Sequence, residues 1–326
     1  MMGTLGLFAL SGCDSNVVAP DEGQQVPILF SAGLPEANAS VAGTRAVSTP
    51  FVENQIAIVA ANAASGTPTS PNATDWASSN LYLDHEVGNV GEKTYVNGYD
   101  EYPITLANAP KYWPFNPAEY LSFVAYSPIA GKSNITQTDM TLKVTNGAAG
   151  TFFPDLLYTG TVGNYNKTNK AVRLDFQHAM AKVVVKVIAV DKNGKEIADT
   201  DAHPLKGLQI TSLVLHTKVT TGTFGLVSSQ WTLTDPGSGA SLSEAYTLAS
   251  ATQTASVPYD NSSTSVCYLL PATSAVNTVD FSNLTIKLKE AGMADEVGGD
   301  YPLSDFKQID GKPVTLEMGK TTVLLV

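Results

Sequence analysis

The chain has 326 residues, 43% of them hydrophobic and only 15% charged, with a net charge of −11. That length accommodates two domains of ordinary size. The acidic balance sets aside nucleic acid, whose phosphates need clustered Lys and Arg, and electrostatic attachment to anionic lipid.

The first element is "GTLGLFALSGC", residues 3–13, an apolar run too short to span a bilayer. It reads as the apolar region of a secretory signal, and its "LSGC" ending resembles the cleavage box of bacterial lipoproteins. That resemblance implies cleavage before Cys13, acylation of Cys13 and a polar tether beginning "DSN". Met1–Gly3 carries no Lys or Arg, so either the start of translation is expected upstream of Met1, the reading taken here, or the run is not a signal. Acylation would remove Cys13 from disulfide chemistry, so Cys267, in "SVCYLLPA", reads as a small buried hydrophobe.

Beyond a polar stretch at 14–25, "VPILFSAGL" (26–34) is the first expected strand, with Val26, Ile28 and Phe30 on one face. Residues 35–50 have no periodicity and read as an exposed linker. Arg45 within it is the only Lys or Arg in the first 92 positions, an accessible cut site for an Arg-specific protease. From Phe51 onward, short alternating runs separated by turn chemistry predict strands: "NQIAIVAANA", "SNLYLDHEVG", "EYPITLANA", "YLSFVAYS" and "TDMTLKVTNG". The Asn- and Gly-rich stretch 160–170 is where two domains would join. Val183, Val185 and Val187 then alternate before an Asn193-Gly194 hairpin turn. Further strands follow in "GLQITSLVLHT", "SQWTLTD", "TASVPYD", "SVCYLLPA", "LTIKLKE" and "TTVLLV". Ala, Thr and Val are the most frequent residues, and short helical pieces are expected only near 117–121 and 176–182. The pattern predicts an all-β chain of sandwiches.

No arrangement of residues points to catalysis. His85, His178, His203 and His216 lie far apart with no Cys or His at zinc-site spacing. "HEVGN" at 85–89 lacks the second His of a zinc-peptidase helix. "PGSGAS" lacks the glycine that would make Ser238 a nucleophile elbow. "DKNGKEIAD" has Lys195 where a calcium loop needs an oxygen ligand. Asp199 and Asp201 could act as acid and base only through a pairing the sequence does not show. No cofactor or metal is expected, and an enzyme is unsupported. The cluster Tyr112, Trp113 and Phe115 could stack on sugar rings. Trp113 is held extended by Pro114, and the alternating strand after it must bury a face, so these aromatics read as core rather than platform.

Taken together, "YWPF…YLSFVAYSP", "DFQHAMAKVVVKV", "ITSLVLHTKVTTGTFG…QWTL" and "CYLLPA", in this order behind Cys13 and "TRA", resemble the fimbrillin family, the type V pilins of Bacteroidales. The resemblance implies two transthyretin-like β-sandwich domains in tandem, export to the outer membrane as a lipoprotein, and surface maturation by an Arg-specific protease. On this chain it implies a signal over 1–12, a leader over 13–45, and domains over 46–168 and 169–326. Cys13 would be the lipid anchor and Arg45–Ala46 the cut. A sandwich that loses an edge strand exposes apolar pockets and unpaired backbone, which a strand from a neighbour can fill. Val26, Ile28 and Phe30 would be the resident strand before cleavage. Val323, Leu324, Leu325 and Val326 are a candidate donor, or else the ordinary last strand of the second domain. Expected partners are other pilus subunits, outer-membrane lipid before processing, and a host or bacterial surface ligand. The competing expectation is a glycan-binding surface lipoprotein of a polysaccharide-uptake system.

Overall fold

The structure is a computed structural model that describes residues 25–34, 51–63, 76–96, 99–146, 153–168, 171–193, 195–197, 208–237, 239–241, 243–260, 267–290, 293–307 and 312–326. Among these residues run 22 strands and four 3-10 turns, none of the turns longer than four residues. The chain is all-β, as its alternating patterns require.

The N-terminal half forms β1 (Phe30–Gly33), β2 (Gln55–Ala63), β3 (Leu81–Val90), β4 (Thr94–Val96), β5 (Tyr99–Leu106) and β6 (Tyr120–Ser127). It continues with β7 (Ile135–Thr138), β8 (Thr141–Thr145), β9 (Leu157–Tyr158), β10 (Val162–Tyr165), β11 (Val172–Asp175) and β12 (Gln177–His178). Ten of these strands share one sheet, in the order β11-β1-β5-β3-β2-β6-β9-β12, with β10 added to β6 and β4 to β5. β11 and β12 stand at opposite ends of that path, yet only the buried Phe176 separates them in the chain. The sheet therefore curls back on itself, and its inner face closes on Phe30, Ile56, Ile58, Leu83, Phe123, Leu174 and their neighbours.

The stretch 160–168 lies between paired strands of one sheet. β10 pairs with β6 on one side of it and β11 pairs with β1 on the other, so the expected boundary at 168/169 falls inside one sheet. One of its asparagines is a fastener: Asn166 donates through Nδ2 to the Pro117 carbonyl at 3.1 Å and accepts from the Thr168 amide at 3.0 Å. The helical pieces expected at 117–121 and 176–182 are strands or turns instead, because Tyr120 opens β6, and β12 and β13 (Ala181–Val187) cover the second. Tertiary burial of alternate side chains overrides the local helical preference of short Ala- and Glu-containing runs.

β2 and β6 are buried on both faces. Leu121, Phe123 and Ala125 of β6 face the curled sheet's own core, while Val124 and Tyr126 face a second core. That second core is built mainly from the C-terminal half, whose strands are β13, β14 (Gln209–Thr217), β15 (Thr221–Gly225), β16 (Gln230–Leu233), β17 (Ser243–Ser256), β18 (Tyr259–Asp260), β19 (Cys267–Leu269), β20 (Ser282–Lys289), β21 (Val297–Pro302), which lies outside the core, and β22 (Thr321–Leu325). One sheet runs β18-β13-β19 with β22 along the other edge of β13, and another runs β17-β14-β20-β21. The third runs β16-β15-β8-β7, so the β7–β8 hairpin leaves the N-terminal half to complete a C-terminal sheet. Leu142 and Val144 drive that crossing, since both are fully buried in the second core. Cys267 is likewise buried there and in no disulfide.

Candidate strand-insertion site

The segment 25–34 is threaded through the N-terminal sheet. Pro27 bridges to Tyr112, the Trp113 amide donates to the Val26 carbonyl at 2.9 Å, and the Ile28 amide donates to the Lys111 carbonyl at 2.8 Å. β1 then runs antiparallel to β5 on one side and parallel to β11 on the other. The Val172 amide donates to the Leu29 carbonyl and the Phe176 amide to the Gly33 carbonyl, each at 2.8 Å. Period-two alternation sorts the side chains. Ile28, Phe30 and Ala32 are buried and Val26 packs at the margin of the same core, while Leu29 is 56% exposed. Phe30 meets Phe123 edge to face at 5.5 Å. Val26, Ile28 and Phe30 thus share the inward face, and β1 is an internal strand with a partner on each side.

The outer face of this segment carries a charged bridge that sequence reasoning missed. Arg173 of β11 donates through Nε to Asp175 Oδ1 at 2.7 Å and through Nη1 to Glu101 Oε1 at 3.0 Å. Glu101 belongs to β5, so the guanidinium spans the two neighbours of β1. Asp175 first, and then Glu101, hold the guanidinium in its charged form and raise its pKa. Gly33 lies beneath, paired with Asp175, and a Cβ added there would come within 2.2 Å of Asp175 Oδ1 and 2.8 Å of Arg173 Nη2. The available signal was the glycine that ends β1, a mark of close approach by another group.

Beside the N-terminal end of the segment opens a cavity of about 760 Å³, lined by Val26, Tyr82, Tyr112, Phe115, Glu119 and Lys167 among others. Trp113 is core, edge to face with Phe123 at 6.1 Å. Phe115 is 73% exposed, with Lys167 Nζ 5.6 Å from its ring centroid and donating to the Phe115 carbonyl at 3.1 Å. The Tyr82 hydroxyl donates to the Tyr112 carbonyl at 2.6 Å, and burial pushes its pKa up. The aromatic cluster therefore divides, with Trp113 inside and Phe115 outside.

The C-terminal strand sits differently. β22 pairs in parallel with β13 alone, Leu324 points into the second core, and Val323 and Leu325 are 47% and 45% exposed. The Val326 amide donates to the Lys186 carbonyl and the Ile188 amide to the Val326 carbonyl, each at 2.9 Å. Cys13, Arg45 and Ala46 lie outside the described residues, as do His203, Asp199 and Asp201.

The remaining histidines are structural. His85 lies on β3, so "HEVGN" is a strand. Gln137 Nε2 donates to His85 Nε2 at 2.9 Å, which leaves Nδ1 to donate to the Tyr126 hydroxyl at 3.1 Å, and burial lowers the His85 pKa. His178 Nδ1 meets Asp155 Oδ2 at 2.9 Å, and that hydrogen bond raises the His178 pKa. His216 Nε2 lies 2.9 Å from Thr285 Oγ1. Among the described residues no group of three or more His, Cys, Asp or Glu could hold a metal ion, and no helix is long and apolar enough to cross a membrane.

The described residues form β-sheets throughout, and the segment 25–34 contributes an internal strand to one of them. The fimbrillin-like family model matches residues 44–324, and the chain belongs to that family. Fimbrillin-like proteins are structural and binding proteins, not enzymes. No curated protein matches the chain. Among solved structures it is similar to a candidate cell adhesion protein from Bacteroides uniformis, with 15% identity, a TM-score of 0.53, and 94% of each chain covered. A second, from Bacteroides ovatus, has 15% identity and a TM-score of 0.52 over 93% of this chain and 92% of that one. At these identities the likeness is one of fold.

Proposed function

We propose that the protein is a structural subunit or tip adhesin of a cell-surface pilus, exported as a lipoprotein through Cys13, cut between Arg45 and Ala46, and assembled by exchange of β1 for a strand of a neighbouring subunit. One observation carries this reading: the segment that precedes Arg45 supplies an internal strand of the N-terminal sheet. Its loss would strip ladder partners from both β5 and β11 and open the pockets of Ile28, Phe30 and Ala32. Water can satisfy the exposed backbone, but apolar pockets of this kind favour an incoming strand by roughly 1.5–3 kcal/mol per large side chain. Such a contact is heterologous and propagates as an open filament. The chain contains two arginines, Arg45 and Arg173, and the second is tied into β11 by its carboxylate partners, which favours Arg45 as the cut. Removal of residues before Ala46 would release the lipid tether in the same step. The donor in this reading is Thr321–Val326, whose single ladder partner makes it the easier terminal strand to detach.

The test is treatment of the purified full chain with an Arg-specific protease. The expected result is a mature chain beginning at Ala46, loss of the leader, and filaments that the uncut protein does not form. A chain cut at Arg45 that releases its leader and remains monomeric overturns strand exchange.

A second reading, glycan binding at the cell surface, is favoured by the open cavity that holds Tyr82, Tyr112 and the protruding Phe115. Affinity electrophoresis against polysaccharides tests it. Retardation that Phe115→Ala abolishes while the fold persists supports binding there, and unretarded migration in every gel removes it.

A further inference from the structure

Resting on the strand-exchange reading, a narrower question is which strands the vacated groove would accept. Its inner face asks only for apolar side chains at alternate positions, those of Ile28, Phe30 and Ala32, and many sequences meet that demand. The outer face is stricter. The Glu101–Arg173–Asp175 bridge ties β5 to β11 directly across the path of β1, and it does so at the position of Gly33. The outer position two residues earlier, Ser31, is half-buried and carries a side chain, and the one before it, Leu29, projects into solvent. Only Gly33 has a charged atom where its Cβ would stand, and that atom belongs to a carboxylate held in place by a hydrogen bond from Arg173.

We propose that the Glu101–Arg173–Asp175 bridge is a register gate: a strand that runs through the groove as far as the position of Gly33 must place glycine there, with its apolar side chains one, three and five residues before it. The fitting partner is an extended peptide of the form apolar-x-apolar-x-small-Gly, the pattern of Ile28–Gly33 itself. A strand shifted by one residue turns its apolar set outward, and one shifted by two drives a side chain into the bridge. A Cβ at the gate would displace the Asp175 carboxylate or the Arg173 guanidinium, and so work against the Arg173–Asp175 contact. Thr321–Val326 contains no glycine, so it enters only in registers that stop short of the bridge.

The gate is tested by peptide exchange into the full chain after cleavage at Arg45, with mass spectrometry showing the bond after Arg173 intact. The probes are a labelled peptide with the sequence of residues 26–34, VPILFSAGL, and the same peptide carrying Gly33→Val. The expected result is that the glycine peptide enters roughly tenfold or more better than the valine peptide, and that this preference disappears in the R173A/D175A protein. Near-UV circular dichroism verifies its fold, and Asp175→Ala alone, which removes the atom nearest the missing Cβ, serves if the double variant does not fold. Equal entry of both peptides into the wild-type protein, or an unchanged preference in the bridge variants, overturns the gate and leaves strand exchange standing. Entry of neither peptide, with the cut leader retained, overturns strand exchange and the gate together.

Discussion

The first and last strands of the described residues, β1 and β22, are both short and sit oppositely in the fold. Each is a short alternating apolar run at one end of the body. β1 lies between two strands, buries Ile28, Phe30 and Ala32, and is crossed on its outer side by Arg173. β22 has one strand neighbour, buries Leu324, and leaves Val323 and Leu325 about half exposed. The difference teaches what makes a strand exchangeable in an assembly. An internal strand leaves behind a groove specific enough to select a replacement, whereas an edge strand leaves an exposed sheet margin with little apolar area to recognise. In the strand exchange proposed above, the first region would be the acceptor and the second the donor.

Truncations on the buried side of each strand give the largest effects. Phe30→Ala should cost about 3–5 kcal/mol in guanidinium unfolding of the uncut protein, the range for a buried aromatic whose cavity cannot collapse. A loss under about 1 kcal/mol would mean that β1 is only loosely seated. Leu324→Ala should fall at the lower end of the ~2–5 kcal/mol range for aliphatic truncation, because an edge strand relaxes more readily around the cavity. An effect larger than that of Phe30→Ala would reverse the comparison.

The junction of the two regions supplies the next effect. His178 closes the N-terminal sheet, and Gly319, just before β22, donates its amide to Met180. Because the Asp155 hydrogen bond raises the His178 pKa above its ordinary value of 6.5, the pair stabilises the fold fully below that value. Its contribution fades as pH rises through the folded-state pKa. The stability gap between wild type and His178→Asn should therefore widen as pH falls from about 8 to about 6. A gap independent of pH would show that the pair does not titrate with folding. The smallest effect is expected on the exposed side of β22, where Val323→Ser should stay within about 0.5 kcal/mol by the same unfolding measurement.

Much of the acceptor region was legible in advance. The alternation of Val26, Ile28 and Phe30 marks an inward face, and the Arg45 linker marks a break in pattern. "YLSFVAYS" reads as a strand, yet its alternation suggests one buried face, and the structure buries two. A sequence cannot announce the second face, because Val124 and Tyr126 are covered by strands of the C-terminal half. The stretch 160–170 looked like a domain joint for the same reason: Asn and Gly advertise turns, and only the pairing of β10 and β11 shows that the turn stays within one sheet. The bridge over Gly33 was invisible, since Glu101 and Arg173 are 72 residues apart in sequence.

By itself the sequence determined the all-β class, the inward face shared by Val26, Ile28 and Phe30, the absence of catalytic spacing, and the family, since each is written in local periodicity or in motif order. Tertiary structure alone decided that β1 is internal and β22 is an edge, that the β7–β8 hairpin serves a C-terminal sheet, and that Gly33 lies under an ion bridge. These are facts of pairing between distant segments, and hydrogen bonds between strands and charges across them leave no trace in the spacing of residues along one chain.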